Sequence, residues 1–288
     1  MYIRLRPPED IQVQKLRIGR VPALILRSKK AVPAADATGV IWIHGGGYFV
    51  GMKEMVYMSR AVDLVIKFDA VVLAPGYRQA ILSPYPAAIE DCYQCLRYMK
   101  EHAQELGVRE DQLMVGGESS GGGLTAALCM MARDRGEVNI VFQMPLYPMM
   151  DNFDTESSKD NHGRLWNTRR NHLGWRLYLR KDAKKEVSPY AAAARQMDYR
   201  NLPPAYTFVG DGEPFYSETL AFIEKLKEAG VPAEVDVYHT NYHAFDMLRP
   251  ELPESKEAIE KFLQEFQFAS EHCYVPQKRI LFENPVNS

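Results

Sequence analysis

Long apolar runs are missing from this chain of 288 residues, and no stretch approaches the roughly 20 apolar residues that a membrane-spanning helix needs. An excess of one charge is missing too. With 35 basic and 37 acidic residues the formal net charge is -2, so no global field would gather nucleic acid or an anionic membrane, and the expected partners are small molecules. Cysteine is scarce. Cys92, Cys95, Cys129 and Cys273 are too few for a disulfide framework in a chain of this length, which points to a reducing, cytoplasmic compartment. Residues 1–10 carry two arginines, two prolines and two acids with no apolar core, so a signal peptide is not expected there. Cys92 and Cys95 form a CxxC inside an amphipathic segment, with no second cysteine pair or histidine pair to complete a zinc site. They read as buried helix cysteines. Internal repeats and low-complexity tracts are absent, and no metal or organic cofactor is implied.

What is present is an alternation of short β-rich runs with longer helical patterns, the signature of an α/β protein with a mostly parallel sheet flanked by helices. Strands are expected at residues 40–44, 70–74, 112–116, 140–144, 205–210 and 234–238, and helices at 54–68, 86–104, 119–133, 215–229 and 254–268. Pro86 suits a first helical turn, and Gly230 followed by Val231 and Pro232 stops a helix. Two regions leave the rhythm. Residues 11–27 hold two β-rich runs fit for an antiparallel edge hairpin. Residues 151–187, rich in charge and Asn and carrying Trp166 and Trp175, interrupt the alternation between two core strands. Loops beyond the carboxyl ends of parallel strands surround the ligand crevice, so that insertion is a candidate cap on a single domain spanning 1–288.

The sharpest chemical signal is Gly117-Glu118-Ser119-Ser120-Gly121, a GxSxG set directly between a strand and an apolar helix. A nucleophile elbow needs that context: the serine sits in a strained turn, and the glycines let strand and helix approach without a Cβ in the way. A serine hydroxyl is a poor nucleophile, and its attack on a carbonyl creates an oxyanion that needs donors already aimed at it. His44-Gly45-Gly46-Gly47 follows an earlier strand and offers bare backbone N–H groups for that purpose. The candidate oxyanion donors are Gly45, Gly46 and Ser120. A phosphate loop is the alternative use of such glycines, but the GK[ST] that should follow is missing.

A general base is expected late in the chain, because the elbow arrangement takes its partners in the order Ser, acid, His. Of seven histidines, His243 lies in the loop after the strand 234–238, where it can overhang the sheet edge. His239 at the strand end and His272 after the last helix are the other late choices. Asp211 and Glu213 both follow the strand 205–210 and can both serve as the acid. Residue chemistry alone leaves them open, since Asp211 suits a turn and Glu213 the first turn of a helix.

With these residues assembled, the chain resembles the hormone-sensitive-lipase-like esterases over roughly residues 35–268. The elbow Gly117-Glu118-Ser119-Ser120-Gly121-Gly122 is similar to that family's GDSAGG. His243-Ala244-Phe245 is similar to its HGF, Gly76-Tyr77-Arg78 to its DYR, and Tyr85-Pro86-Ala87-Ala88 to its FPAA. Glu213-Pro214-Phe215 falls where the family has DPL, so the resemblance implies Glu213 rather than Asp211 as the acid. It further implies an α/β-hydrolase fold and a Ser119, His243, Glu213 triad. The family's helical segment before HGGG is reduced here to 43 residues that read mostly as strands. That leaves the acyl pocket to Leu165, Trp166 and Trp175 of the insertion.

These readings converge on a carboxylic-ester hydrolase for short acyl esters, working through an acyl-enzyme. The rival readings are an amidase, arylformamidase or peptidase with the same triad, and a non-catalytic binder of small molecules on the same scaffold. Self-association is left open, with the final helix and the tail beyond it as candidate surfaces.

Overall fold

The structure, a computed structural model, describes residues 5–30, 36–180 and 186–277. The first four residues, part of the insertion at 181–185 and the tail from 278 onward lie outside the described residues, so the tail's suggested role in self-association is not addressed. Eight strands form one sheet: β1 (Ile11–Ile18), β2 (Val21–Ser28), β3 (Ala37–Ile43), β4 (Val71–Pro75), β5 (Val108–Glu118), β6 (Phe142–Leu146), β7 (Ala205–Gly210) and β8 (Ala233–Tyr238). Their spatial order is β1-β2-β4-β3-β5-β6-β7-β8. β1 and β2 form the antiparallel hairpin expected at residues 11–27, and β2 pairs antiparallel with β4; every other pairing is parallel.

The helices are α1 (Ala61–Phe68), α2 (Ala87–Glu101), α3 (Ala103–Leu106), α4 (Ser120–Arg135), α5 (Thr168–Leu179), α6 (Tyr216–Glu228), α7 (Phe245–Leu248) and α8 (Pro253–His272). One layer holds α2, α4 and α6 against one face of the sheet; the other holds α1 and α8. The central strands β3, β4, β6 and β7 are almost wholly buried, as parallel strands covered on both faces must be. Cys92 and Cys95 are buried on α2, as read from the sequence.

Two expected helices are broken. Residues 54–68 divide into a 3-10 segment, Lys53–Met58, and α1, because Ser59 adopts an extended conformation and its hydroxyl accepts from the Ala61 N–H at 3.2 Å. The pattern at 86–104 divides at His102 into α2 and the single turn of α3. Five of the six expected strands differ in extent or register: β3 covers 37–43 rather than 40–44, β4 covers 71–75, β5 begins at Val108 rather than 112, β6 is shifted to Phe142–Leu146, and β8 begins one residue early at Ala233.

The strand order decides where chemistry can occur. The chain runs from β3 outward to β4, returns to pair β5 on the other side of β3, and then proceeds away in the opposite direction. That reversal leaves a crevice beyond the carboxyl ends of β3 and β5, the position where open α/β sheets hold their ligands.

Candidate active site

Four sequence segments meet at this crevice, each delivered by the carboxyl end of a strand. β3 leads into His44-Gly45-Gly46-Gly47, β5 into Ser119, β7 into Asp211-Gly212-Glu213 and β8 into the loop bearing His243. Ser119 occupies the corner between β5 and α4 with φ 58° and ψ -121°, a strained backbone for a residue with a Cβ. The corner is held from both sides. Its N–H donates to Leu146 O at 3.0 Å, and its carbonyl accepts from Gly123 and Met149 at 3.0 and 2.9 Å. Gly117 and Gly121 make the corner possible, because a Cβ on either would fall 2.4 and 2.0 Å from the Ile43 carbonyl oxygen.

Ser119, His243 and Glu213 are brought into one hydrogen-bonded chain. His243 Nε2 lies 2.9 Å from Ser119 Oγ, and His243 Nδ1 lies 2.5 Å from Glu213 Oε2. The second oxygen of Glu213 accepts from the Gly210 N–H at 2.7 Å, so both oxygens of the carboxylate are engaged. Burial pushes the Glu213 carboxyl up, while the His243 hydrogen bond pulls it back down. With an acid on Nδ1, the imidazole donates there and keeps Nε2 free to accept the serine proton. The rings of Tyr147 and Phe215 stand edge-on to His243, both at 5.1 Å, and fix its plane.

The other candidates pair with each other, away from the serine. Asp211 Oδ2 lies 2.7 Å from His239 Nδ1 in solvent. His162 and His172, both in the insertion, face Asp160 and Asp154, and His272 contacts its own helix.

The glycine loop lies against the elbow: a Cβ on Gly45 would come 3.2 Å from Ser119 Cβ. Gly46 has φ 123°, which an L side chain rarely adopts, and its carbonyl accepts from the N–H groups of Phe49 and Val50 at 3.2 and 3.0 Å. The N–H groups of Gly45, Gly46 and Ser120 donate to no backbone carbonyl among the described residues. His44 does not face the reacting atoms. It is buried, stacked on Tyr77 at 4.2 Å, and its Nδ1 lies 2.8 Å from the Gly45 carbonyl, which steadies the loop. Burial lowers its pKa to about 4, so it is neutral.

The insertion contributes one helix, α5, and a set of turns. Trp166 rests on the glycine loop, where a Cβ on Gly47 would meet its ring at 2.1 Å. Trp175 is buried against Tyr48, at 5.2 Å between ring centres, and Tyr178 stacks on the same tyrosine at 4.1 Å. Leu165 is exposed and lines a cleft of about 700 Å³ that reaches His243.

Sequence reasoning missed a buried polar group behind the elbow. Glu118 accepts from Trp42 Nε1 at 2.8 Å, while Asp246 pairs with Arg60 at 3.0 Å and accepts from Tyr147 OH at 2.8 Å. Burial raises the carboxyls of both acids, Glu118 to about 8. The signals were faint: an acid inside the GxSxG, and an acid three residues after His243.

Comparison with known proteins places the fold in a family. A family model described as the alpha/beta hydrolase fold matches residues 40–247. Esterase LipI of Mycobacterium tuberculosis is 30% identical over 232 residues, which are 80% of this chain and 72% of that protein. Among solved structures, a bacterial heroin esterase superimposes with a TM-score of 0.85 at 28% identity, covering 91% of this chain and 85% of that one. Esterase LipW from Mycobacterium marinum does so with a TM-score of 0.83 at 28% identity, over 90% and 82% of the two chains.

Proposed function

The chain belongs to the alpha/beta-hydrolase-fold family, in the hormone-sensitive-lipase-like esterase group, and from that premise we propose that it hydrolyses small carboxylic esters with short acyl groups through Ser119, His243 and Glu213. The observation that carries this reading is the buried hydrogen-bonded chain from Glu213 through His243 to Ser119 Oγ. His243 takes the serine proton as Oγ attacks the ester carbonyl, and Glu213 stabilises the imidazolium that forms. The N–H groups of Gly45, Gly46 and Ser120 bind the oxyanion without reorganising, which is worth about 3 kcal/mol. His243 then passes the proton to the departing alcohol, and water, activated by the same imidazole, cleaves the acyl-enzyme.

Residues 151–187 act as a reduced cap on a single domain. Trp166 packs on the glycine loop and Trp175 on Tyr48 rather than lining a long apolar groove, which favours short acyl groups. Leu165 lines the cleft beside His243, whereas Trp166 closes over Gly47 and Trp175 supports Tyr48 from within the fold.

The deciding experiment is turnover of p-nitrophenyl esters by the native chain and by Ser119→Ala. Acetate is expected to be cleaved faster than octanoate, and the folded variant is expected to retain no turnover above background. Retained activity in Ser119→Ala overturns the assignment.

A further inference from the structure

The cleft beside His243 carries a charge pattern that ester hydrolysis does not by itself require. Its lining includes Arg164, Arg249 and Asp160, with the imidazole of His162 beside them. Of the two guanidinium groups, that of Arg249 is answered locally, its Nε donating to Glu251 at 2.7 Å, and Asp160 lies 3.1 Å from His162. The guanidinium of Arg164 has no acceptor among the described residues. A second guanidinium, that of Arg170, reaches the same wall, donating to the Arg164 carbonyl at 2.5 Å and to the Leu165 carbonyl, so a neutral partner leaves its charge intact. Residues 161–180 contain five arginines and no acid, in a chain whose net charge is -2. Arg169 and Arg170 lie in the first turn of α5, where the positive end of the helix dipole disfavours cations.

The reaction assigns this cleft to one half of the substrate. The leaving oxygen must come within hydrogen-bond reach of His243 Nε2 to receive its proton as the C–O bond breaks. The alcohol half of the ester therefore lies on the side that His243 lines. Resting on the esterase reading above, we propose that this cleft is a subsite for an alcohol or phenol that carries a carboxylate, with Arg164 as its principal contact. A planar guanidinium suits a carboxylate through paired N–H donors, and Arg170 adds to the field behind it.

The test uses two esters with the same acyl group, phenyl acetate and 3-acetoxybenzoate, which differ by a carboxylate on the leaving phenol. Because Arg164 is exposed, its contact is partly screened, and the native protein is expected to prefer 3-acetoxybenzoate by about fivefold in kcat/KM at low salt. The preference should lie in KM and shrink as salt is added. Arg164→Ala should bring the ratio of the two esters to about one, and Arg164→Glu should invert it. Equal turnover of both esters by the native protein, or a preference that survives in Arg164→Ala, overturns the subsite while leaving the esterase reading intact. Turnover of neither ester, together with failure of a fluorophosphonate to label Ser119, overturns both.

Discussion

Glu213 with His243 and Asp211 with His239 are two acid–histidine pairs on the same pair of loops, two residues apart in one loop and four in the other. Their hydrogen bonds are alike, 2.5 and 2.7 Å, each to Nδ1. Their surroundings are opposite. In the first pair the side chains are 5% and 0% exposed; in the second, His239 is 99% exposed and Asp211 38%. Contact geometry alone therefore does not mark a catalytic pair. A buried carboxylate that loses its partner has no water to replace it, so the Glu213 pair is held in one arrangement, whereas solvent competes for every bond in the Asp211 pair. Only His243 also presents Nε2 to a serine hydroxyl.

The sharpest way to break the comparison is to remove each acid's charge in turn. Glu213→Gln is expected to lower kcat/KM for p-nitrophenyl acetate by about 10³–10⁴-fold, because the imidazole loses its orientation and its stabilised imidazolium. Equal activity in Glu213→Gln and the native protein would sink the buried pair's role.

A buried acid without a histidine extends the contrast to stability. Burial pushes the Glu118 carboxyl from about 4.5 up to about 8, against the pull of the Trp42 N–H. The folded state thus holds its proton more tightly than the unfolded chain. The associated stability is complete below about pH 4.5 and is lost as pH rises through about 8. Native protein should lose on the order of a few kcal/mol from this group between about pH 5 and pH 9 in denaturant titrations. Glu118→Gln keeps an acceptor for Trp42 and should flatten that dependence; an unchanged slope would show that Glu118 is charged when folded.

The smallest effect belongs to the exposed pair. Asp211→Asn should change kcat/KM by less than about twofold, since the bond is solvated and screened. It should also lower the pKa of His239, which the Asp211 hydrogen bond and then its charge hold above the ordinary histidine value, and NMR titration reads that shift directly. A large loss of activity in Asp211→Asn would restore Asp211 as a rival to Glu213.

Much of this architecture was legible because local rules and tertiary packing agree. The alternation of apolar runs placed all six core strands within a few residues of their observed positions, and β7 at its observed limits. The glycines of the elbow were legible because their reason is steric and short-range. The break at Ser59 was not, since a single hydroxyl competing for a backbone N–H overrides an otherwise continuous helical pattern. The aromatic residues of the insertion were read as pocket lining, yet Trp175 is consumed in packing on Tyr48, because periodicity shows that a side chain is apolar but not what covers it.

The sequence by itself determined the strand and helix order, the serine, the glycine loop and a short list of acids and histidines. Residue chemistry left open which members of that list meet; the family resemblance implied Ser119, His243 and Glu213, and the tertiary structure brings those three together. Ser119 and His243 are 124 residues apart, and no local pattern encodes their 2.9 Å contact. It arises because the strand order places the ends of β3, β5, β7 and β8 on one side of the sheet, and because burial excludes water from one acid–histidine pair and admits it to the other.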